Sequence, residues 1–101
     1  GININFAPVA DVNTNPENPV IGDRAYGNDA EKVSTFVIAS VKGHLSEGVQ
    51  PCVKHFPGHG DTSEDSHLAL PRVETDERTL REREFLPFQK GFSAGCNLVM
   101  T

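Results

Sequence analysis

Three short apolar runs alternate with two segments of helical periodicity, and this alternation constrains the chain more than any other feature. The runs lie in GININFAPVADV (Ile2, Ile4, Phe6, Val9), in VQPCVKHF and in NLVMT. Between the first two, Val33, Phe36, Val37, Val41 and Leu45 recur at the spacing of one helix face. Asn28 can cap that helix with Glu31 in a capping-box position, and Gly48 can close it. Between the second and third runs, TDERTLREREFLPFQKGFSAG starts a helix at Thr75 or Asp76. Pro87 cannot sit deep inside one helix without a break. The expectation is a short charged helix to about Glu84, then a second from about Pro87 with Phe85, Phe88 and Phe92 on its apolar face.

The order β-loop-α-β-loop-α-β implies an α/β fold with a parallel sheet and right-handed crossovers. Three parallel strands fit a doubly wound sheet or part of a (β/α)8 barrel. In both, active sites lie at the C-terminal ends of the strands, where the two long loops fall here. The strands are not followed by G-x-G-x-x-G or G-x-x-x-x-G-K-[ST], so a nucleotide site has no support.

With 101 residues and 37% apolar content, the chain fits one small domain. It opens on an apolar run and stops at Asn97-Leu98-Val99-Met100-Thr101, which reads as a strand just starting. A piece of something larger is expected. The net charge is −5, without a basic stripe, so nucleic acid is not an expected partner. No apolar stretch is long enough to span a bilayer, so no membrane partner is expected, and no targeting leader is visible. Cys52 and Cys96 are too few for a disulfide framework and read as small buried hydrophobes, mildly favouring a reducing compartment.

The loop after the second strand, KHFPGHGDTSEDSH (54–67), holds three of the four histidines and three carboxylates. Lys54 and His55 sit at a strand tip, either as solvated polar residues or as donors gripping the hydroxyls of a small polar ligand. Asp65 and His67 lie two apart, so an extended segment projects them to one side. The carboxylate can then hold the imidazole in one tautomer, fit to give and retrieve a proton near neutral pH. Ser66 is assigned no role. A metal site would draw on His55, His59, Asp61 and His67, yet H-x3-H-x-D matches no helical zinc pattern. His59 and Asp61 read better as internal hydrogen-bonding groups that shape the loop. Arg24, beyond the first strand, either reaches the same mouth or pairs with Asp23 or Asp29. His44 reads as surface or helix-end decoration, and ERTLRERE as a solvated helix face with i,i+4 pairs.

KHFPGHGDTSEDSHLALP resembles the signature of glycoside hydrolase family 3, in its β-N-acetylglucosaminidase branch. INFAPVADVN, GDRAYG and LPFQKGFSAGCNLVMT extend the likeness over essentially the whole chain. The resemblance implies a (β/α)8 barrel, incomplete here, with residues 1–101 as one partial domain covering about strands three to five. It implies retaining hydrolysis of terminal β-linked N-acetylglucosamine, in peptidoglycan fragments or chito-oligosaccharides; no cofactor or metal is expected. His67 would be the general acid/base, backed by Asp65, and Arg24, Lys54 and His55 would bind the sugar. The family's nucleophilic aspartate follows a later strand, and the pattern around it is absent here. A second sugar-binding aspartate would precede Gly1, and Asp11 matches neither. The chain is thus expected to be inactive alone. The alternatives are a family 3 hydrolase of other β-glycosides, a metal-dependent hydrolase using the histidines, and a non-catalytic carbohydrate-binding or scaffold protein. Relatives of this type occur inside and outside bacterial cells.

Overall fold

The computed structural model describes residues 1–63, 65, 67–70, 72 and 75–101. Two strands, β1 (Cys52–Lys54) and β2 (Leu98–Met100), pair in parallel with Cys52 opposite Leu98 and Lys54 opposite Met100. The first apolar run lies on the other side of β1, also parallel, through bridges Ile4–Gln50 and Val9–Lys54. It does not form the continuous strand that its composition predicts. Pro8 and Pro51 fall between the two bridges, and neither has an N–H to donate to a ladder. The run is instead held by separate bonds: Asn5 N–H to Gln50 O (2.9 Å), Cys52 N–H to Ala7 O (2.7 Å) and Ala10 N–H to Lys54 O (2.6 Å).

Helix α1 (Ala30–Ser46) occupies the predicted segment. Its N-cap is Asp29, not Asn28: the Asp29 carboxylate accepts the Lys32 N–H at 2.8 Å, satisfying one of the helix's free donors. Val33, Val37 and Val41 are fully buried, whereas Phe36 is half exposed and stacks on Tyr26 with ring centroids 5.2 Å apart. The helix ends at Gly48, whose φ of +72° suits glycine. His44 does more than decorate that end. Its Nε2 accepts the Asn5 Nδ2–H (2.9 Å) and its Nδ1–H donates to Ser40 O (2.7 Å), tying α1 to the first run.

The second helical segment runs without a gap through α2 (Glu77–Thr79), a π turn at Leu80–Glu84 and α3 (Phe85–Ser93). Pro87 thus lies inside a helix and does not start a new one. The π turn immediately precedes it, with the Phe85 N–H bonded to Leu80 O. Such a widened turn is where a helix absorbs a residue that the regular ladder cannot hold. Phe88 is buried, and Phe85 stacks on Phe56 at 5.5 Å, but Phe92 is nearly half exposed. Arg78–Glu82 (3.0 Å) and Arg81–Glu77 (2.8 Å) form the expected solvated i,i+4 pairs.

Ala10, Val12, Val33, Val37, Val41, Val53, Phe88 and Cys96 form the core between the helices and the strands. Gly91 lets α3 approach closely: a methyl there would lie 2.9 Å from Val53 Cγ1 and 3.2 Å from Val37 Cγ1. Cys52 and Cys96 are free and buried as expected, and burial pushes the Cys52 thiol pKa up. Among the described residues, no helix is long and apolar enough to cross a membrane.

Candidate active site

The site is built where β1 gives way to the histidine-rich loop. A buried carboxylate, Asp11, organises it. Asp11 has no solvent exposure and sits just past the first run. Its Oδ2 accepts the His55 backbone N–H (3.2 Å) and the His55 ring Nδ1–H (2.8 Å), and its Oδ1 accepts the His59 N–H (2.6 Å). A carboxylate that collects N–H donors fixes the proton of His55 on Nδ1 and leaves Nε2 as an acceptor. Asp11 is the residue at this site whose contacts sequence reasoning missed. A lone aspartate after an apolar run carries no spacing signal that links it to residues 44 and 48 positions later.

His59 and Asp61 shape the loop, as the sequence suggests. The Thr62 hydroxyl donates to His59 O (2.9 Å) and contacts His59 Nδ1. His59 Nε2 is buried without a partner among the described residues. Its ring stands perpendicular to that of His55, with centroids 6.4 Å apart. Asn18 Nδ2 donates to His59 O (2.5 Å), locking the earlier asparagine-rich loop onto this one. Gly60 allows the closest approach: a Cβ there would run into the Val12 carbonyl.

Asp65 and His67 do meet. Asp65 Oδ1 accepts both the His67 backbone N–H and its ring Nδ1–H, each at 2.9 Å. The geometry differs from the extended segment expected. Asp65 forms an Asx turn, and its carbonyl also accepts the Leu68 and Ala69 N–H groups at 2.9 Å. The backbone N–H of His67, then its ring, hold the Asp65 carboxyl pKa below the usual range, and His59 adds a weaker through-space contribution. The ionised carboxylate only accepts, so Nδ1 of His67 carries the proton that it donates to Asp65. The His67 side chain is 83% exposed. Ser66 lies outside the described residues.

Arg24 ends a short 3-10 turn, Gly22–Arg24. Its guanidinium donates to Val20 O through Nε (3.1 Å) and an Nη (2.8 Å). The anticipated pairing with Asp23 or Asp29 does not form, and Arg24 makes no hydrogen bond to Lys54 or His55. Lys54 closes β1 half-buried. Among the described residues, no group of three or more His, Cys, Asp or Glu side chains is placed to hold a metal ion.

Comparison with known proteins fits this arrangement. Residues 1–101 match the family described as glycosyl hydrolase family 3 N terminal domain. The β-hexosaminidase A of Pseudoalteromonas piscicida is 49% identical over 102 aligned positions, spanning 100% of this chain and 17% of that protein. The family 3 β-N-acetylglucosaminidase of Paenibacillus sp. str. FPU-7 superposes with a TM-score of 0.97 at 51% identity, over 99% of this chain and 19% of that one. The native NagZ of Neisseria gonorrhoeae gives 0.90 at 37% identity, over 99% and 29%. The chain thus spans less than a third of the length of these relatives. The parallel strands and helices are a segment of the barrel domain that these proteins carry.

Proposed function

The chain belongs to the glycosyl hydrolase family 3 N terminal domain family, and from that premise we propose that it supplies the proton-transfer half of a retaining glycosidase acting on terminal β-linked N-acetylglucosamine. The observation that carries this reading is the bond from His67 Nδ1 to Asp65 Oδ1 (2.9 Å) beneath an exposed ring. In the first step the His67 imidazolium gives its Nε2 proton to the glycosidic oxygen as the bond to the anomeric carbon breaks. In the second, neutral Nε2 takes a proton from the attacking water. Nδ1 keeps its proton on Asp65 throughout, so the ring need not turn over between steps.

Lys54, His55 and Arg24 bind the sugar in this reading. His55, with Nε2 as acceptor, suits a sugar hydroxyl donor, and Lys54 suits a hydroxyl oxygen. Retaining hydrolysis also needs a carboxylate nucleophile on the opposite face of the sugar. We assign that role to a residue beyond this chain, and residues 1–101 to the central part of the barrel, about strands three to five. The chain alone is then inactive. A histidine in place of the usual carboxylic acid adds no negative charge near the nucleophile. That suits peptidoglycan fragments, whose muramic sugar is itself a carboxylate, as well as chito-oligosaccharides. The relatives' names, β-hexosaminidase and β-N-acetylglucosaminidase, support the substrate class.

The test is His67→Ala in the complete barrel protein. Turnover of N-acetylglucosaminides with poor leaving groups should fall by about 10²–10⁴-fold, and that of activated aryl glycosides far less. Equal loss on both removes the acid role.

A further inference from the structure

The segment that carries Asp65 and His67 is bracketed by Asp61 and Thr75, and Thr75 and Arg83 meet on the Asp61 carboxylate. Asp61 Oδ2 accepts the Thr75 hydroxyl at 3.3 Å and an Arg83 Nη at 2.8 Å. Asp61 precedes the segment, Thr75 follows it, and Arg83 belongs to the π turn Leu80–Glu84. Arg78 and Arg81 pair along their own helix. Arg83 instead reaches 22 positions back in sequence. It is also held from behind, because its Nε donates to Glu84 Oε1 at 2.6 Å. Glu84 is 1% exposed and lies beneath Gly58, where a Cβ would meet Glu84 Cγ at 2.7 Å. The guanidinium is thus gripped on two edges, by a buried carboxylate below and by the loop base above.

We infer that Asp61 and Arg83 are positioning residues for the proton transfer, forming a latch with Thr75 that fixes Asp61, six positions before His67, and so limits where His67 can stand. The inference rests on the assignment of His67 as acid and base. A closed base restricts the conformations of the segment above it, and proton transfer is sensitive to misplacement on the scale of an ångström. Lys54 and His55 are held separately, by β1 and Asp11, so sugar binding does not depend on the latch.

Amide hydrogen exchange and kinetics on the complete protein test this. Arg83→Gln should speed exchange at residues 62–63 and 67–70 and leave α1 unchanged. It should lower kcat about tenfold on substrates with poor leaving groups, with KM and the turnover of activated aryl substrates nearly unchanged. Asp61→Asn should do the same, and the double variant should be no worse than either single one, because both remove one interaction. Arg83→Lys keeps the charge and should retain part of the activity; it carries the test if Arg83→Gln fails to fold. Exchange that stays at the wild-type rate overturns the latch. So does equal loss on both substrate types while His67→Ala remains selective. Should His67→Ala itself show no selectivity, the acid–base assignment falls, and the exchange rates alone decide whether the latch exists.

Discussion

Asp11 and His55, 44 positions apart in sequence, meet at 2.8 Å with the carboxylate wholly out of contact with water. This pair sets the hydrogen-bonding character of the His55 ring and ties the histidine loop to the first apolar run. Asp11→Ala would leave the His55 and His59 backbone donors unpaired. Each buried donor so stranded costs about 1–3 kcal/mol. Denaturant unfolding measures the loss, and a variant within about 0.5 kcal/mol of wild type would show that water replaces the carboxylate at no cost. In the complete enzyme, a freed His55 ring should raise KM more than it lowers kcat.

The Asp65–His67 pair has a defined acid limit. The Asp65 carboxyl pKa is depressed in the folded chain, chiefly by the His67 N–H groups. A depressed carboxyl contributes stability that is present above its unfolded value, about 3.9, and lost as pH falls through the folded value. The pair should therefore persist across the neutral and mildly acidic range and open only below the ordinary aspartate range. A ¹³C titration of the Asp65 carboxyl checks this. A midpoint at or above the ordinary value contradicts the contact.

Glu84 behaves in the opposite sense. Burial pushes its carboxyl pKa up, and Arg83 only partly offsets this. Between its unfolded value, about 4.3, and its raised folded value, the folded state holds more proton than the unfolded one. Stability from this group is thus full below that window and declines as pH rises through it. Glu84→Gln should flatten the decline, as read from thermal unfolding at a series of pH values. A slope that survives the substitution must come from another group.

Gly60→Ala tests the contact between the two long loops. The added methyl meets the Val12 backbone carbonyl, which cannot rotate away as a side chain would. Overpacking of this kind costs about 1–3 kcal/mol. Unfolding measurements should show that loss, with the Asn15 N–H to Gly60 O bond (3.2 Å) disturbed as well. Unchanged stability would mean that the loops separate freely.

Much of this was legible in the residues and some was not, for physical reasons. Helix α1 follows from the spacing of Val33, Val37 and Val41, which are all buried. Its cap did not, because Asn28 and Asp29 are both good caps and only backbone geometry chooses between them. The parallel order of the strands follows from alternation, but the interrupted pairing of the first run depends on two prolines, 43 positions apart, that fall between the same two bridges. Pro87 suggested a helix break because the rule concerns regular helices, and a π turn relaxes it. Asp65 with His67 was readable because the partners are local. Asp11 with His55, and Asp61 with Arg83, were not, since nothing in local spacing marks a partner brought near by the fold.

The widened turn at Leu80–Glu84 has one more effect. Each α-helical residue advances the chain by about 100° around its axis, so the additional residue rotates everything after it relative to everything before. That offset lets Arg78 and Arg81 face solvent while Glu84 and Phe88 face inward along one continuous rod. Deleting a single residue from this turn would turn Phe88 away from Phe56 and carry the guanidinium of Arg83 off its carboxylates, although no contact residue had been changed. Length, in this stretch, is as much a part of the specification as composition.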